Sequence, residues 1–441
     1  MTDSIDRRDF IVRSGTAALA LGNLGRLSRT PRRAPASDRV AVAVMGVHSR
    51  GNELAKALAR TGAEVRYICD VDSRAVLKTV ADVTAMNDQR PKGMADFRRA
   101  LEDPSLDALV IAAPDHWHTP AALLGLQAGK HVYVEKPCGH NPREGELLVA
   151  AQRRYGRVVQ MGTQQRSAPE SIEVVKRIRD GAIGRPYFAR AWYANTRDTI
   201  GQGAPAPVPA WLDYELWQGP APRTPYRDNV VHYNWHWFWR WGTGEICNNG
   251  THEIDVCRWA LGVDFPSKVT SSGGRYQFHD DWETTDTQVA SFEFDGGASI
   301  TWEGRSCNGR PIEGRDRGAA IHGTEGTAII DRSGYVIYDR ENKEVASRIH
   351  DEHADPLDTR GGGLLTDLHL ANFANAIRGD ATPAAPIEEG HKSVLLCHLG
   401  NIAQRTTGSL TCDPRTGQIV GNDAAAQLWS REYQPGWEPK G

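Results

Sequence analysis

The run Val40-Ala41-Val42-Ala43-Val44-Met45-Gly46 constrains this chain more than any other stretch. A short, β-branched, apolar segment of this kind reads as a parallel strand buried on both faces. It enters Gly46-Val47-His48-Ser49-Arg50-Gly51, then a helical stretch over 52–60, a second strand over 64–69, and Asp70 at its tip. Strand, glycine turn, helix, strand and acid in that order fit a nucleotide-binding βαβ unit. The turn and the helix N-terminus receive a pyrophosphate, and the acid meets the adenosine ribose hydroxyls. One position departs from the pattern: His48 stands where the middle glycine lets the backbone approach the pyrophosphate. The imidazole must swing aside or the phosphates must sit further out, and Ser49 can compensate with a hydrogen bond. An acid at position 70 repels a 2′-phosphate, so NAD is expected in preference to NADP, with Arg74 the one neighbouring cation of opposite tendency.

The alternation continues with helical segments over 74–86 and 95–102 and a strand over 108–113. Pro114-Asp115-His116-Trp117-His118-Thr119-Pro120 reads as a loop, followed by a helix over 121–128. A strand over 131–134 delivers Glu135-Lys136-Pro137, and a helix over 143–155 with a strand over 157–161 completes the unit. In an open parallel sheet the ligand lies at the carboxyl ends of the strands. Gly46, Asp70, Pro114 to His118 and Lys136 are therefore expected on one rim. A lysine held there out of water can lose its proton near neutral pH and act as a base. His116 and His118, two apart, can also share a strand face and bind a metal. No third and fourth ligand at convincing spacing accompanies them, so no metal is expected, and His118 is assigned to substrate or nicotinamide.

Beyond a helix over 171–179 and a strand over 187–193, residues 195–230 form a Pro/Gly-rich loop region long enough for a pocket wall. Seven of the thirteen tryptophans fall between Trp211 and Trp259. Trp235, Trp237, Trp239 and Trp241 alternate with His236, Phe238 and Arg240, a period of two that predicts an extended segment. Most of these indoles suit a core or an interface; with His232 and His236 beside them, a carbohydrate pocket is the alternative. Asn248, His252, Asp255 and Trp259 follow at spacings of four, three and four, which places them on one helix face. Strands over 288–294, 298–303, 319–323 and 327–331 predict a large, mainly antiparallel sheet. His369 and Asn372, one turn apart, are expected to anchor a helix.

Ala113 to His118, Glu135-Lys136-Pro137 and the Gly-x-His-x-x-Asp motif of Gly250 to Asp255 resemble the Gfo/Idh/MocA oxidoreductases (glucose–fructose oxidoreductase, inositol dehydrogenase and their relatives). The resemblance covers nearly all of the chain after its first residues. It implies an α/β architecture of an N-terminal Rossmann domain over 38–162 and a C-terminal α/β domain over 163–441 with a large open sheet. The open face of that sheet commonly forms the interface of a homo-oligomer, a dimer or tetramer. It assigns Lys136 and His252 as catalytic. The cofactor contacts then fall to Gly46, His48, Ser49, Arg50, Gly51, Asp70, Pro114, His118, Glu135 and Lys136. Those to substrate fall to His118, Trp235, His236, Asn248 and His252. Many relatives carry an aspartate four residues before the histidine; Asn248 here can orient a hydroxyl but cannot take a proton. The expected activity is NAD-dependent oxidation of a secondary hydroxyl of a sugar, glycoside or cyclitol. An NAD-recycling glycoside hydrolase is the alternative, and a non-catalytic binding relative a third reading.

Formal net charge is −3, which leaves no basic footprint for nucleic acid, and no apolar run is long enough to span a bilayer. The seven cysteines lack close pairs and are expected to be reduced and mostly buried. Arg7-Arg8-Asp9-Phe10-Ile11, a mildly apolar stretch over 14–24 and Ala34-Pro35-Ala36 resemble a twin-arginine export signal, assigned to residues 1–37. That route carries folded proteins, which suits an enzyme loaded with a nucleotide before it leaves the cytoplasm.

Overall fold

The computed structural model describes residues 39–349, 363–406 and 408–440. The expected export segment lies outside them. The first sheet is built from β1 (Ala41–Met45), β2 (Glu64–Cys69), β3 (Lys92–Met94), β4 (Ala108–Ile111), β5 (His131–Val134) and β6 (Val159–Met161). Their order is β3-β2-β1-β4-β5-β6 and every pairing is parallel. This is the doubly wound nucleotide-binding topology, whose crevice opens where the order reverses, between β1 and β4. All five residues of β1 are buried, as its apolar composition requires of a central strand.

The connecting helices are α1 (Arg50–Arg60), α2 (Ser73–Asn87), α3 (Asp115–Gln127) and α4 (Pro142–Tyr155). Leu54 and Leu58 of α1 pack on one face of the sheet with Val42 and Val44 of β1. Leu123 and Leu126 of α3 cover the other face together with Leu148 of α4. β3 had no counterpart among the expected elements: at three residues it is too short to show a period.

One boundary moves with consequence. Residues 115–120 are not a loop; α3 begins at Asp115 and contains Pro120. Proline cannot donate to the carbonyl four residues back, and the carbonyl of His116 instead accepts from Arg431 Nη2 at 2.8 Å. The histidines thus sit on a helical turn and diverge. His116 Nε2 meets the carbonyl of Trp217 at 2.9 Å, whereas His118 turns toward the end of β5.

The second sheet has ten strands, in the order β14-β13-β12-β11-β7-β10-β9-β8-β15-β16. They are β7 (Pro186–Ala194), β8 (Lys268–Gly274), β9 (Thr287–Phe294), β10 (Ala298–Arg305), β11 (Arg317–Gly323), β12 (Gly326–Ile330), β13 (Gly334–Asp339), β14 (Glu344–Ile349), β15 (Ser409–Cys412) and β16 (Ile419–Val420). Among the described residues β7 and β10 pair in parallel and the other neighbours in this order pair antiparallel. Val174 and Ile178 of α5 (Pro169–Arg179) and Ile254 and Ala260 of α6 (Thr251–Leu261) fill its main core.

The last two long helices tie the sheets together. Leu370 and Phe373 of α7 (Gly363–Arg378) return to the first sheet and pack beside α1. α8 (Ile387–Arg405) gives Ile387 and Val394 to the first core and Leu395, Leu399 and Ile402 to the second. His369 anchors α7 through Ser167 Oγ at 2.7 Å and the carbonyl of Met161 at 2.8 Å. Asn372 likewise holds Thr382 and Ala384. All seven cysteines are free thiols, six of them buried.

Among the described residues no helix is long and apolar enough to cross a membrane.

Candidate active site

A cavity of about 440 Å³ opens at the carboxyl rim of the first sheet. Every site candidate named from the sequence lines it except Gly51. Gly51 has a packing role: a Cβ there would sit 2.1 Å from the carbonyl oxygen of Gly46. Gly46 itself has φ +82°, and a side chain would collide with the backbone of Ala113 at the end of β4. These two glycines let the turn close tightly between β1 and α1.

The cavity fits the cofactor such a turn implies. No side chain caps the N-terminus of α1, so its first-turn N–H groups remain for an anion. Asp70 faces the cavity at the tip of β2, its carboxylate held by the N–H groups of Val47 (2.5 Å) and Asp72 (2.8 Å). Burial pushes its carboxyl up to about 6, against those two donors. Arg74 is committed elsewhere, to both oxygens of Asp72 and to the face of Trp211 at 3.5 Å. His48 does swing aside: its ring stacks on His232 at 3.9 Å, and His232 Nε2 lies 3.0 Å from Asp72. His48, Asp72 and His232 hold their ligand atoms within 4.8 Å of one another. Because Arg74 already occupies Asp72, this group is a clasp between the glycine turn and the second half of the chain.

Arg50 spans the rim, donating to Glu135 (2.9 Å) and to Thr366 of α7 (3.1 Å). Burial pushes the Glu135 carboxyl up, but Arg50 and Lys136 outweigh it and hold the group below its ordinary value. Both nitrogens of His118 lie against backbone carbonyls, Pro137 at 2.5 Å and Ala113 at 2.7 Å. Neither is left for substrate or nicotinamide, so the polar role expected of His118 becomes that of a brace between the ends of β4 and β5.

Lys136 follows β5 directly and ends in the cavity. Its Nζ donates to the carbonyl of Asn248 (2.5 Å) and to Asn248 Oδ1 (3.1 Å). Burial lowers its pKa; Glu135 and Asp115 oppose this, and Arg332 and Arg317 add to it. His252, 7% exposed, is held well below its ordinary value by burial first, then by Arg332, Lys136, Arg317 and Arg50. These influences all favour the neutral imidazole over the charged one.

The expected helix face carrying four residues divides in two. Residues Ile246–Gly250 form a π-helical turn, a local widening that often marks functional sites, and α6 starts at Thr251. Asn248 and His252 enter the cavity. Asp255 instead turns into the interior, where Arg166 grips both of its oxygens (2.7 and 2.9 Å) above Trp259.

The tryptophan run is not an extended ladder. Asn234–Trp237 is a 3-10 turn, which sends alternate indoles in different directions. Trp235 stacks on His236 at 3.6 Å on the cavity wall. Trp237 is buried against Trp282 at 3.9 Å, and Trp241 packs on Trp217. Burial lowers the His236 pKa to about 3.

Sequence reasoning missed Arg317 and Arg332, which reach the cavity from the start of β11 and from the turn after β12. It also missed Tyr233 and Thr366. Isolated residues in a distant sheet carry no local signal of this kind.

Residues 40–163 match an oxidoreductase family described as having an NAD-binding Rossmann fold. Residues 191–331 match that family's C-terminal alpha/beta domain. The chain belongs to the Gfo/Idh/MocA oxidoreductases. It is accordingly an NAD-dependent oxidoreductase.

Among its relatives, the NAD(+)-dependent scyllo-inositol 2-dehydrogenase of Bacillus subtilis is 25% identical over 360 residues, 78% of this chain and 88% of that protein. A glycosyl hydrolase family 109 protein of Saccharopolyspora erythraea is 32% identical over 164 residues, which is 36% of each chain. A levoglucosan dehydrogenase solved with NADH and levoglucosan has the same fold, with a TM-score of 0.65 at 18% identity over 85% of this chain and 99% of that one.

Proposed function

We propose that this oxidoreductase oxidises a secondary hydroxyl of a sugar, glycoside or cyclitol, with Lys136 as the base. The observation that carries the reading is Lys136 Nζ, lowered in pKa by burial and aimed into the cavity beside Asn248 and His252. The chemistry supplied by bound NAD is hydride acceptance from the carbinol carbon. The glycine turn and the uncapped N-terminus of α1 hold its pyrophosphate, and Asp70 its adenosine ribose. Lys136 removes the hydroxyl proton, and neutral His252 hydrogen-bonds the same or an adjacent hydroxyl. Trp235 offers an apolar face to a ring.

A second reading is a redox-neutral glycoside hydrolase that oxidises, eliminates, adds water and reduces. It is supported by the similarity to the family 109 protein and by Asn248, an amide that cannot take a proton, beside Lys136. Mass spectrometry of nucleotide released from the denatured protein comes first, and NAD(H) is the expected find. NADH absorbance with scyllo-inositol and levoglucosan, run beside release of nitrophenol from nitrophenyl glycosides, then separates the two readings. Absence of bound nucleotide together with no NAD uptake on titration refutes both.

The proposal also has the enzyme exported through Arg7-Arg8 and acting as a homo-oligomer. Replacing both arginines by lysine is expected to leave the protein in the cytoplasmic fraction; unchanged fractionation refutes export.

A further inference from the structure

Glu245 stands three residues before Asn248, is only 4% exposed, and does not line the cavity. Its Oε1 accepts from two adjacent amides, Asn248 Nδ2 at 3.3 Å and Asn249 Nδ2 at 2.5 Å. Its Oε2 accepts from Arg197 Nε at 2.8 Å and from Ser306 Oγ at 3.0 Å. An ionised carboxylate only accepts hydrogen bonds. Both amides must therefore present their NH₂ groups to Glu245 and their oxygens away from it. Asn248 Oδ1 is thereby turned to Lys136 Nζ at 3.1 Å, and Asn249 Oδ1 to Arg317 Nη1 at 3.3 Å.

The consequence falls on the lysine. A neutral amine has two N–H bonds and one lone pair in a tetrahedral arrangement. Asn248 supplies two acceptors, its carbonyl oxygen and Oδ1, which together take both N–H bonds. The lone pair is left as the one uncommitted direction. We infer that Glu245 is a positioning residue: by fixing the orientation of the Asn248 amide, it aims the lone pair of Lys136 into the cavity. This rests on the proposed function only in naming the proton that Lys136 takes.

If the Asn248 amide turns over, its NH₂ donors face Nζ and disfavour the ammonium form. The other charged and titratable groups acting on Lys136 are Glu135, Asp115, Arg332 and Arg317, with His252 and His236 close by. The test is competitive labelling of the full-length, NAD-loaded protein with acetic anhydride across pH. Modification of Lys136 is read by peptide mass spectrometry in wild type, Glu245→Gln, Asn248→Ala and the double variant.

Glu245→Gln is expected to lower the Lys136 titration midpoint more when Asn248 is present than in the Asn248→Ala background. A general field effect of the lost charge acts equally in both and cancels in the cycle. Equal shifts in the two backgrounds overturn the inference, as does a Lys136 that stays unlabelled at every pH. Should Glu245→Gln fail to fold, Glu245→Asp keeps the charge for Arg197, shortens the reach to Asn248, and enters the same cycle. The cycle is run with and without NAD, so loss of nucleotide binding would sink the proposed function while the coupling is still read in the NAD-free protein, and the two failures are distinguishable.

Discussion

Lys136→Ala is expected to lower kcat/KM for alcohol oxidation by about 10²–10⁴, the usual contribution of a positioned general base. NAD content and thermal stability should change little, because Nζ donates its two hydrogen bonds to Asn248 alone. Lys136→Arg should not rescue, since a guanidinium does not deprotonate in this range. The sign of the pH dependence follows from the unprotonated amine being the active form. Burial is the largest influence on Lys136 and lowers its pKa, with Arg332 and Arg317 in the same direction and Glu135 and Asp115 opposing. In the oxidation direction kcat/KM therefore rises with pH and levels off above an inflection lying below the ordinary lysine value. Initial rates of NADH formation across pH check this. An inflection at or above that ordinary value, or a Lys136→Ala variant of full activity, would rule the lysine out as base.

The largest stability effect is expected at Asp255, not in the catalytic pair. Asp255 is 1% exposed, accepts two hydrogen bonds from Arg166 and a third from Ser393 at 2.6 Å, and joins α6 to the turn after β6 and to α8. Asp255→Ala removes one partner of a buried pair and leaves the Arg166 guanidinium only Glu389, 3.8 Å away, as a charge partner, a change expected at the lower end of the about 3–5 kcal/mol that breaking a buried pair costs. Replacing both partners at once (Asp255→Leu with Arg166→Met) removes the stranded charge, so much of the loss should return. Urea denaturation of the two single variants and the double variant measures it. A double variant as unstable as the sum of the singles would locate the cost in lost packing rather than in the orphaned charge.

What was legible in the sequence was local. β1, the glycine turn, β2 and Asp70 lie within one contiguous stretch whose period and turn chemistry specify a nucleotide-binding unit. The rule that ligands gather at strand ends brought Gly46, Asp70, Pro114 and Lys136 to one rim, and the cavity lies there. Asn248 and His252 were likewise within reach of a motif. Where pattern misled, a backbone event had changed the period. The 3-10 turn at Asn234–Trp237 dispersed the tryptophans, the π-helical turn at Ile246–Gly250 divided the helix face, and α3 ran through Pro120.

Local pattern was enough to specify a parallel nucleotide-binding sheet, a mainly antiparallel second sheet, and a lysine and a histidine in two separate motifs. Which atoms these residues face was set by long-range packing. Lys136 meets Asn248 across 112 positions, Arg50 meets Thr366 across 316, and Arg317 and Arg332 reach His252 from a sheet with no local link to it. The physical reason is that hydrogen-bond periodicity and turn chemistry act over a few residues. The burial and charge that set a proton affinity are summed over whatever the fold packs around the group.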